Sequence, residues 1–318
     1  MNSVWYDIFL EELYKRYPQK SALTEALMDL LSIEREATYR RLRKDVMFPV
    51  EEMMKIASAW GISLDAVIGS NSEHVYFQTY LLSRLSSSKD EAERMRRIVQ
   101  WCDSLKDIPD LEFLGVCNKI PHSLSSGFPY LQRLQLLKWS YWSANDEILS
   151  FSEIAPQPAN EKLALEYYQS IKNLPQTSYI WDYMLFNYVI SDVRYFHSVY
   201  LITDEEKELI KNQLYALIDY MLKVATKGCW PETGKKVNLY ISQINIDTNY
   251  SYFYSEKVKL CLVHAFVKSE IYTTSQAMAE HFKQWMQSKK RASVLISEAD
   301  ERSRIGFFRK QRLLIDEL

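Results

Sequence analysis

The sequence predicts a mainly α-helical protein, with a helical bundle at the N-terminus and a larger helical domain behind it that carries a small antiparallel β-sheet near the C-terminus. Three observations lead there. Apolar residues recur at three- and four-residue spacing through most of the 318 positions, the period of an amphipathic helix. Only seven glycines are present, too few for a Rossmann, barrel or propeller fold built on many tight turns. Alternation with a period of two appears only after Lys227. A polar break near residue 70 divides the chain into residues 1–70, a linker over 71–90, and a domain over 91–318 for dimerisation or sensing.

The first helix is expected over Val4–Tyr17, where Val4, Ile8, Leu13 and Tyr17 follow a helical pattern with Trp5 and Phe9 beside it. Pro18 ends it, because the residue before a proline is driven out of the helical region. A second helix begins at Lys20 and sets Leu23, Ala26, Leu27, Leu30 and Leu31 on one face. Ser32-Ile33-Glu34 is a short polar step, and Ser32 or Glu34 can cap the next helix. That third helix, Arg35–Arg43, differs in kind. Ala37 or Thr38, with Leu42, are its only inward-type residues, while Arg35, Glu36, Tyr39, Arg40, Arg41 and Arg43 crowd the remaining surface. A helix with so thin an apolar stripe is held by its neighbours and leaves most of its surface for a partner.

Side-chain type suggests that partner. Over residues 35–44 five cations (Arg35, Arg40, Arg41, Arg43 and Lys44) stand against Glu36, a net charge of +4. Arginine presents a planar fork of donors that matches guanine O6/N7 and phosphate oxygens. A solvated basic face is the plain alternative for any short charge run. Order and spacing from Lys20 to Gly69 favour the first reading. This stretch resembles the helix-turn-helix domain of lambda-repressor/Cro-like bacterial regulators, in the variant whose recognition helix reads A-T-Y-R-R-L-R, here Ala37–Arg43. The resemblance continues through Pro49-Val50-Glu51-Glu52, an amphipathic segment with Met53, Met54, Ile56 and Ala57, and a closing Gly61–Gly69 that in this family is a short fifth helix.

The resemblance implies a five-helix bundle that binds double-stranded DNA sequence-specifically in a cytoplasmic transcription regulator, as a homodimer on a palindromic site. Spacings near four residues place Arg35, Arg40 and Arg43 for base or phosphate contact, with Arg41 and Lys44 assigned to the DNA backbone, Tyr39 to a phosphate or the groove edge, and Glu36 counted with them in the DNA-binding set. Where family members usually carry glycine, this chain has Ser32 in the turn and Lys44-Asp45 after the recognition helix, positions that favour positive φ. Residues 1–70 hold nine cations against eleven anions. The positive charge is therefore polarised onto one helix, and modest affinity per half-site is expected.

Ser70-Asn71-Ser72-Glu73 reads as a break, Val75–Leu85 as aromatic and leucine-rich, and Ser86–Asp90 as a turn with a helix cap. Glu91–Leu105 is an amphipathic helix with Met95, Ile98, Trp101 and Leu105 on its dry side, either a dimer seam or the first helix of the next domain. The pattern stays helical from Ile108 to Lys227: LEFLGVCNKIP and FPYLQRLQLLKWSYW read as two apolar helices, and Phe151–Asn160 as a loop. Eight aromatics between Thr177 and Tyr200 form either core or the lining of a ligand pocket. Thr203-Asp204-Glu205-Glu206 opens another helix with an acidic first turn. Val237–Ile246, Ser251–Tyr254 and Val258–Val267 read as a three-stranded antiparallel sheet, with Asp247-Thr248-Asn249 as a hairpin turn. Helices are expected again over Thr274–Ser288 and from Arg304.

Chemistry-bearing motifs do not emerge. There are no paired carboxylates, nucleophile elbow, HExxH, Walker loop or GxGxxG, and His74, His122, His197, His264 and His281 are scattered. Cys102, Cys117, Cys229 and Cys261 lack metal-ligand spacing and read as reduced thiols. No signal peptide or membrane-length apolar run is visible. The expectation is a non-enzymatic regulator without cofactor or metal, open to an unidentified small-molecule or protein effector. The competing expectation, motivated by the negative balance of residues 1–70, is a protein-interaction scaffold with vestigial DNA binding.

Overall fold

The computed structural model describes residues 4–68, 75–79, 88–143, 148–154, 158–265 and 270–318. It separates into two compact units, Met1–Tyr76 and Phe77–Leu318. The expected break over 70–73 and most of Val75–Leu85 lie outside the described residues, as do Gly69, His74 and the start of the turn at Ser86.

The first unit is built from α1 (Val4–Arg16), α2 (Lys20–Leu31), α3 (Arg35–Leu42), α4 (Val50–Trp60) and α5 (Leu64–Ile68). Its core joins Tyr6, Phe9, Leu10 and Leu13 of α1 to Leu23, Leu27 and Leu31 of α2, and to Leu42, Phe48, Met53, Ile56, Ala57, Ile62 and Val67. The inward face of α1 thus runs 6-9-10-13, the i, i+3, i+4, i+7 stripe. The expected Val4 is exposed instead, and so is Trp5. Burying a side chain such as Leu27 completely is worth about 1.5–3 kcal/mol, and this cluster supplies most of what holds so small a bundle. Arg16 donates from Nε to the Trp60 carbonyl (2.9 Å) and from Nη2 to that of Gly61 (3.3 Å), satisfying acceptors that the end of α4 leaves open. The Tyr6 hydroxyl donates to the Arg41 carbonyl (3.2 Å) and accepts from the Phe48 amide (3.1 Å), fixing the path of the chain after α3.

The second unit corrects the sequence reading of the fold class. It contains β1 (Gln78–Thr79), α6 (Ser88–Leu105), β2 (Glu112–Cys117), α7 (His122–Ser125), α8 (Pro129–Ser143), α9 (Pro158–Lys172) and β3 (Gln176–Asp182). Beyond them come α10 (Leu185–Ser198), α11 (Asp204–Lys227), β4 (Lys236–Ser242), β5 (Tyr250–Tyr254), β6 (Lys259–Val263), β7 (Ile271–Thr273), α12 (Gln276–Arg291), β8 (Ser293–Leu295) and α13 (Glu301–Asp316). The strands form one eight-stranded mixed sheet in the order β1-β7-β6-β5-β2-β3-β4-β8. Strands β2, β3 and β4 are parallel and the other pairings antiparallel. The fold is α/β in character, not a helical domain with a small C-terminal sheet.

The physical reason lies in the two central strands. LEFLGVC was expected as a helix, yet it is β2, and Tyr179 and Trp181 of the aromatic run belong to β3. Both strands are covered on both faces: Phe113, Cys117, Tyr179 and Trp181 join one cluster, Leu114, Val116 and Ile180 the other. A strand buried twice reads as a continuous apolar run without alternation, which period alone cannot separate from a buried helix. Gly115 was the available signal, since a glycine inside an apolar run marks close approach. A Cβ there would come within 3.1 Å of the Tyr179 ring.

The expected hairpin at Asp247-Thr248-Asn249 is also corrected, because its flanking strands β4 and β5 are separated in the sheet by β3 and β2. The eight aromatics of 177–200 do not line one cavity. Tyr179, Trp181, Phe186 and Phe196 are core, and Tyr183, Tyr188, Tyr195 and Tyr200 face outward. The expected acidic start of α11 is a full capping box, with the Glu206 amide donating to Thr203 Oγ1 and the Thr203 amide to Glu206 Oε2. Cys102, Cys117, Cys229 and Cys261 are free thiols, and burial pushes those of Cys102, Cys117 and Cys261 up to about 12. Among the described residues no helix is long and apolar enough to cross a membrane.

Candidate nucleic-acid interface

Helix α3 is eight residues long and buries only Thr38 and Leu42. Thr38 Oγ1 donates to the Glu34 carbonyl one turn back (3.2 Å), so its polar atom enters the core satisfied. Glu36 in the first turn and Arg40 and Arg41 in the last complement the helix dipole. The capping expected of Ser32 or Glu34 does not form: Glu34 occupies the N-cap without a side-chain bond, and Ser32 ends α2 in the left-handed region (φ 55°, ψ 44°). Lys44 also sits at positive φ (67°). At both positions glycine would relieve the backbone. The Lys44 and Asp45 amides donate to the Arg41 (3.1 Å) and Arg40 (2.9 Å) carbonyls, closing α3.

The seven candidate residues divide by the contacts they already make. Arg41 is committed inside the molecule. Its Nε and Nη2 form a two-pronged pair with Glu52 of α4 (2.6 and 2.8 Å), and its Nη1 donates to the Ala37 carbonyl (3.1 Å). At 15 % side-chain exposure it braces α3 against α4, where the sequence reading assigned it to the DNA backbone. Lys44 pairs with Asp7 of α1. Arg43 lies between Glu36 (2.8 Å) and Asp45 (3.4 Å) but keeps 52 % of its side chain exposed. Surface pairs of this kind are worth about 0–1 kcal/mol, so a phosphate can displace the carboxylates. Tyr39 is half-buried, with Lys20 Nζ 5.5 Å from its ring centroid.

Arg35 and Arg40 are exposed, and among the described residues neither side chain has an ion-pair or hydrogen-bond partner. The positive charge left over on α3 is therefore concentrated at these two positions. Four of the eleven carboxylates of residues 1–70, Asp7, Glu36, Asp45 and Glu52, are taken up by Lys44, Arg43 and Arg41.

The sequence pointed to none of the polar grouping that the second unit assembles at one end of its sheet. There Ser251 is contributed by β5, His264 by the chain just after β6 and Glu270 by the residue just before β7. Its signal was available only through strand pairing, because nothing in the spacing of 251, 264 and 270 suggests contact. Among the described residues no group of three His, Cys, Asp or Glu side chains is arranged to hold a metal ion. In comparisons with protein families, curated proteins and solved structures, the chain matches none.

Proposed function

We propose that the first unit is a sequence-specific DNA-binding domain of a transcription regulator, with α3 entering the major groove. The observation that carries the reading is the pair Arg35 and Arg40, exposed on a short helix and, among the described residues, left without partners. An arginine fork aimed at a groove meets guanine O6/N7 or phosphate without first breaking an internal contact. Arg43 joins them by exchanging weak surface carboxylates for a phosphate. Arg41 and Lys44 hold the helix in place for the others. The regulator works in the cytoplasm as a homodimer on half-sites about 34 Å apart, and the second unit serves oligomerisation or the sensing of an effector.

The negative balance of residues 1–70 favours a second reading, a protein-interaction scaffold with vestigial DNA binding. A gel shift of the full chain on duplex DNA over a salt series separates the two. Phosphate contact gives an affinity that falls steeply as salt rises, and selection from random duplexes then yields the operator. A scaffold shows no retention even at low salt.

A further inference from the structure

Three neighbouring antiparallel strands bring a nucleophile, a base and a carboxylate together on one face of the sheet. Ser251 of β5 is paired with Leu262 of β6. His264 lies two residues beyond Leu262, and its amide continues the ladder by donating to the Asn249 carbonyl (3.0 Å). Residues two apart on a strand share a face, so the His264 ring reaches diagonally across to Ser251. The pairing of Val263 with Ile271 of β7 places Glu270 across from His264. The side chains meet accordingly: Ser251 Oγ is 2.8 Å from His264 Nε2, and Glu270 Oε1 is 3.4 Å from Nδ1.

The order of these contacts decides the tautomer. Burial pushes the Glu270 carboxyl up, but the hydrogen bond from His264 and the surrounding positive charge, that of Arg94 included, outweigh it, so the net direction is down and the group is a carboxylate. A carboxylate at Nδ1 keeps the proton there and turns the lone pair of Nε2 toward the serine hydroxyl. A second serine–histidine pair lacks this polarity. Ser126 Oγ lies 3.2 Å from His122 Nδ1, but its hydrogen goes to the His122 carbonyl (2.7 Å) and the side chain is buried. Ser251, His264 and Glu270 are each only half-buried. Arg94 of α6, whose charge acts on Glu270, has its Nε buried with no hydrogen-bond partner among the described residues.

We propose that Ser251, His264 and Glu270 form an acyl-transfer site that hydrolyses carboxylic esters, an activity independent of the DNA-binding reading. The Ser251 hydroxyl passes its proton to His264 Nε2 as Oγ bonds to the acyl carbon. His264 returns that proton to the departing alkoxide as the ester C–O bond breaks. Water then gives a proton to His264 while its oxygen adds to the acyl carbon. The bond to Ser251 Oγ breaks, the proton returns to Oγ, and the net change is ester plus water to acid plus alcohol. Ser251 and His264 are the catalytic residues and Glu270 the positioning residue.

The test treats the full chain with a fluorophosphonate probe and with 4-nitrophenyl acetate, locating the adduct by mass spectrometry. A single adduct on Ser251 is expected. Ser251→Ala abolishes both reactions, His264→Gln slows them about 100-fold or more, and Ser126→Ala leaves them unchanged. Glu270→Gln loses reactivity that Glu270→Asp partly restores while both variants remain folded, a contrast that a merely structural carboxylate would not give. If His264→Gln fails to fold, the Glu270 pair decides. Wild-type reactivity no faster than that of Ser251→Ala, or an adduct on any other residue, overturns the proposal.

Discussion

Helices α3 and α13 are both cation-rich, and each divides its cations differently between internal contacts and solvent. On α3 the arginines Arg35 and Arg40, unpaired among the described residues, project outward. On α13 three of the five cations are drawn into contacts within the second unit, while Arg302 and Arg309 are exposed. Arg304 is buried and donates from Nη1 to the Ile296 (3.0 Å) and Ala299 (3.2 Å) carbonyls, Arg312 pairs with Asp219, and Lys310 lies 5.0 Å from the Tyr183 ring centroid. A run of Arg and Lys in a sequence therefore states how much charge is present, not where it is available. Availability depends on whether carbonyls, carboxylates and rings from distant segments reach it first. The sharpest way to break the contrast is Arg304→Met, which keeps an apolar stem but removes the donors and strands two carbonyls. A loss of about 2–4 kcal/mol is expected from the unfolding transition of the second unit in chemical denaturation. A loss under about 1 kcal/mol would mean that α13 holds its arginine no more firmly than α3 holds Arg40.

Arg41 tests the same contrast within α3. It has the residue type and position of a DNA contact, yet its fork is taken by Glu52. Arg41→Met leaves that carboxylate partly buried and alone, so about 1–3 kcal/mol of stability should be lost from the first unit. Adding Glu52→Gln should recover part of it, because the stranded charge goes. A variant that melts like wild type but binds DNA poorly would move Arg41 back among the contacts.

Legibility in the sequence divides along the same line. The helices of the first unit could be read because each buries one face and leaves the other wet: Leu23, Leu27 and Leu31 keep their helical spacing, and Thr38 with Leu42 are the inward pair that the thin stripe of α3 left open. Arg41–Glu52 could not be read, since eleven residues and a change of helix separate the partners. In the second unit β2 and β3 lost their alternation by being covered twice, and so passed for helices. The contact of Ser251 with His264 depended on a register that exists only once β5 and β6 are paired. Local period survives as a signal where one face meets water, and pairing between distant segments leaves no local trace.

Arg40→Ala sharpens the comparison from its exposed side. With no partner to lose, folding stability should stay within about 0.5 kcal/mol of wild type. If Arg40 reads a base, specific binding should weaken by about 1–3 kcal/mol, and discrimination at one operator position should relax. If it meets a phosphate, affinity falls evenly across sequences and the salt dependence becomes shallower. Unchanged affinity for the selected duplex would remove Arg40 from the interface.

The smallest expected effect concerns the backbone that presents α3. Ser32 is exposed and held at φ 55°, where its Cβ crowds the following carbonyl. Ser32→Gly removes that strain but gives the unfolded chain more freedom, and the two changes oppose each other. Relief of a left-handed residue is the larger, so a net gain of about 0.5–1 kcal/mol is expected in the first unit's denaturation midpoint. DNA affinity should not move, because Ser32 ends α2 on the far side of the turn from Arg35 and Arg40 in sequence. A destabilised variant would show that Ser32 makes a contact its position does not suggest. A stabilised variant with altered affinity would show that the α2–α3 turn has to yield when the helix docks.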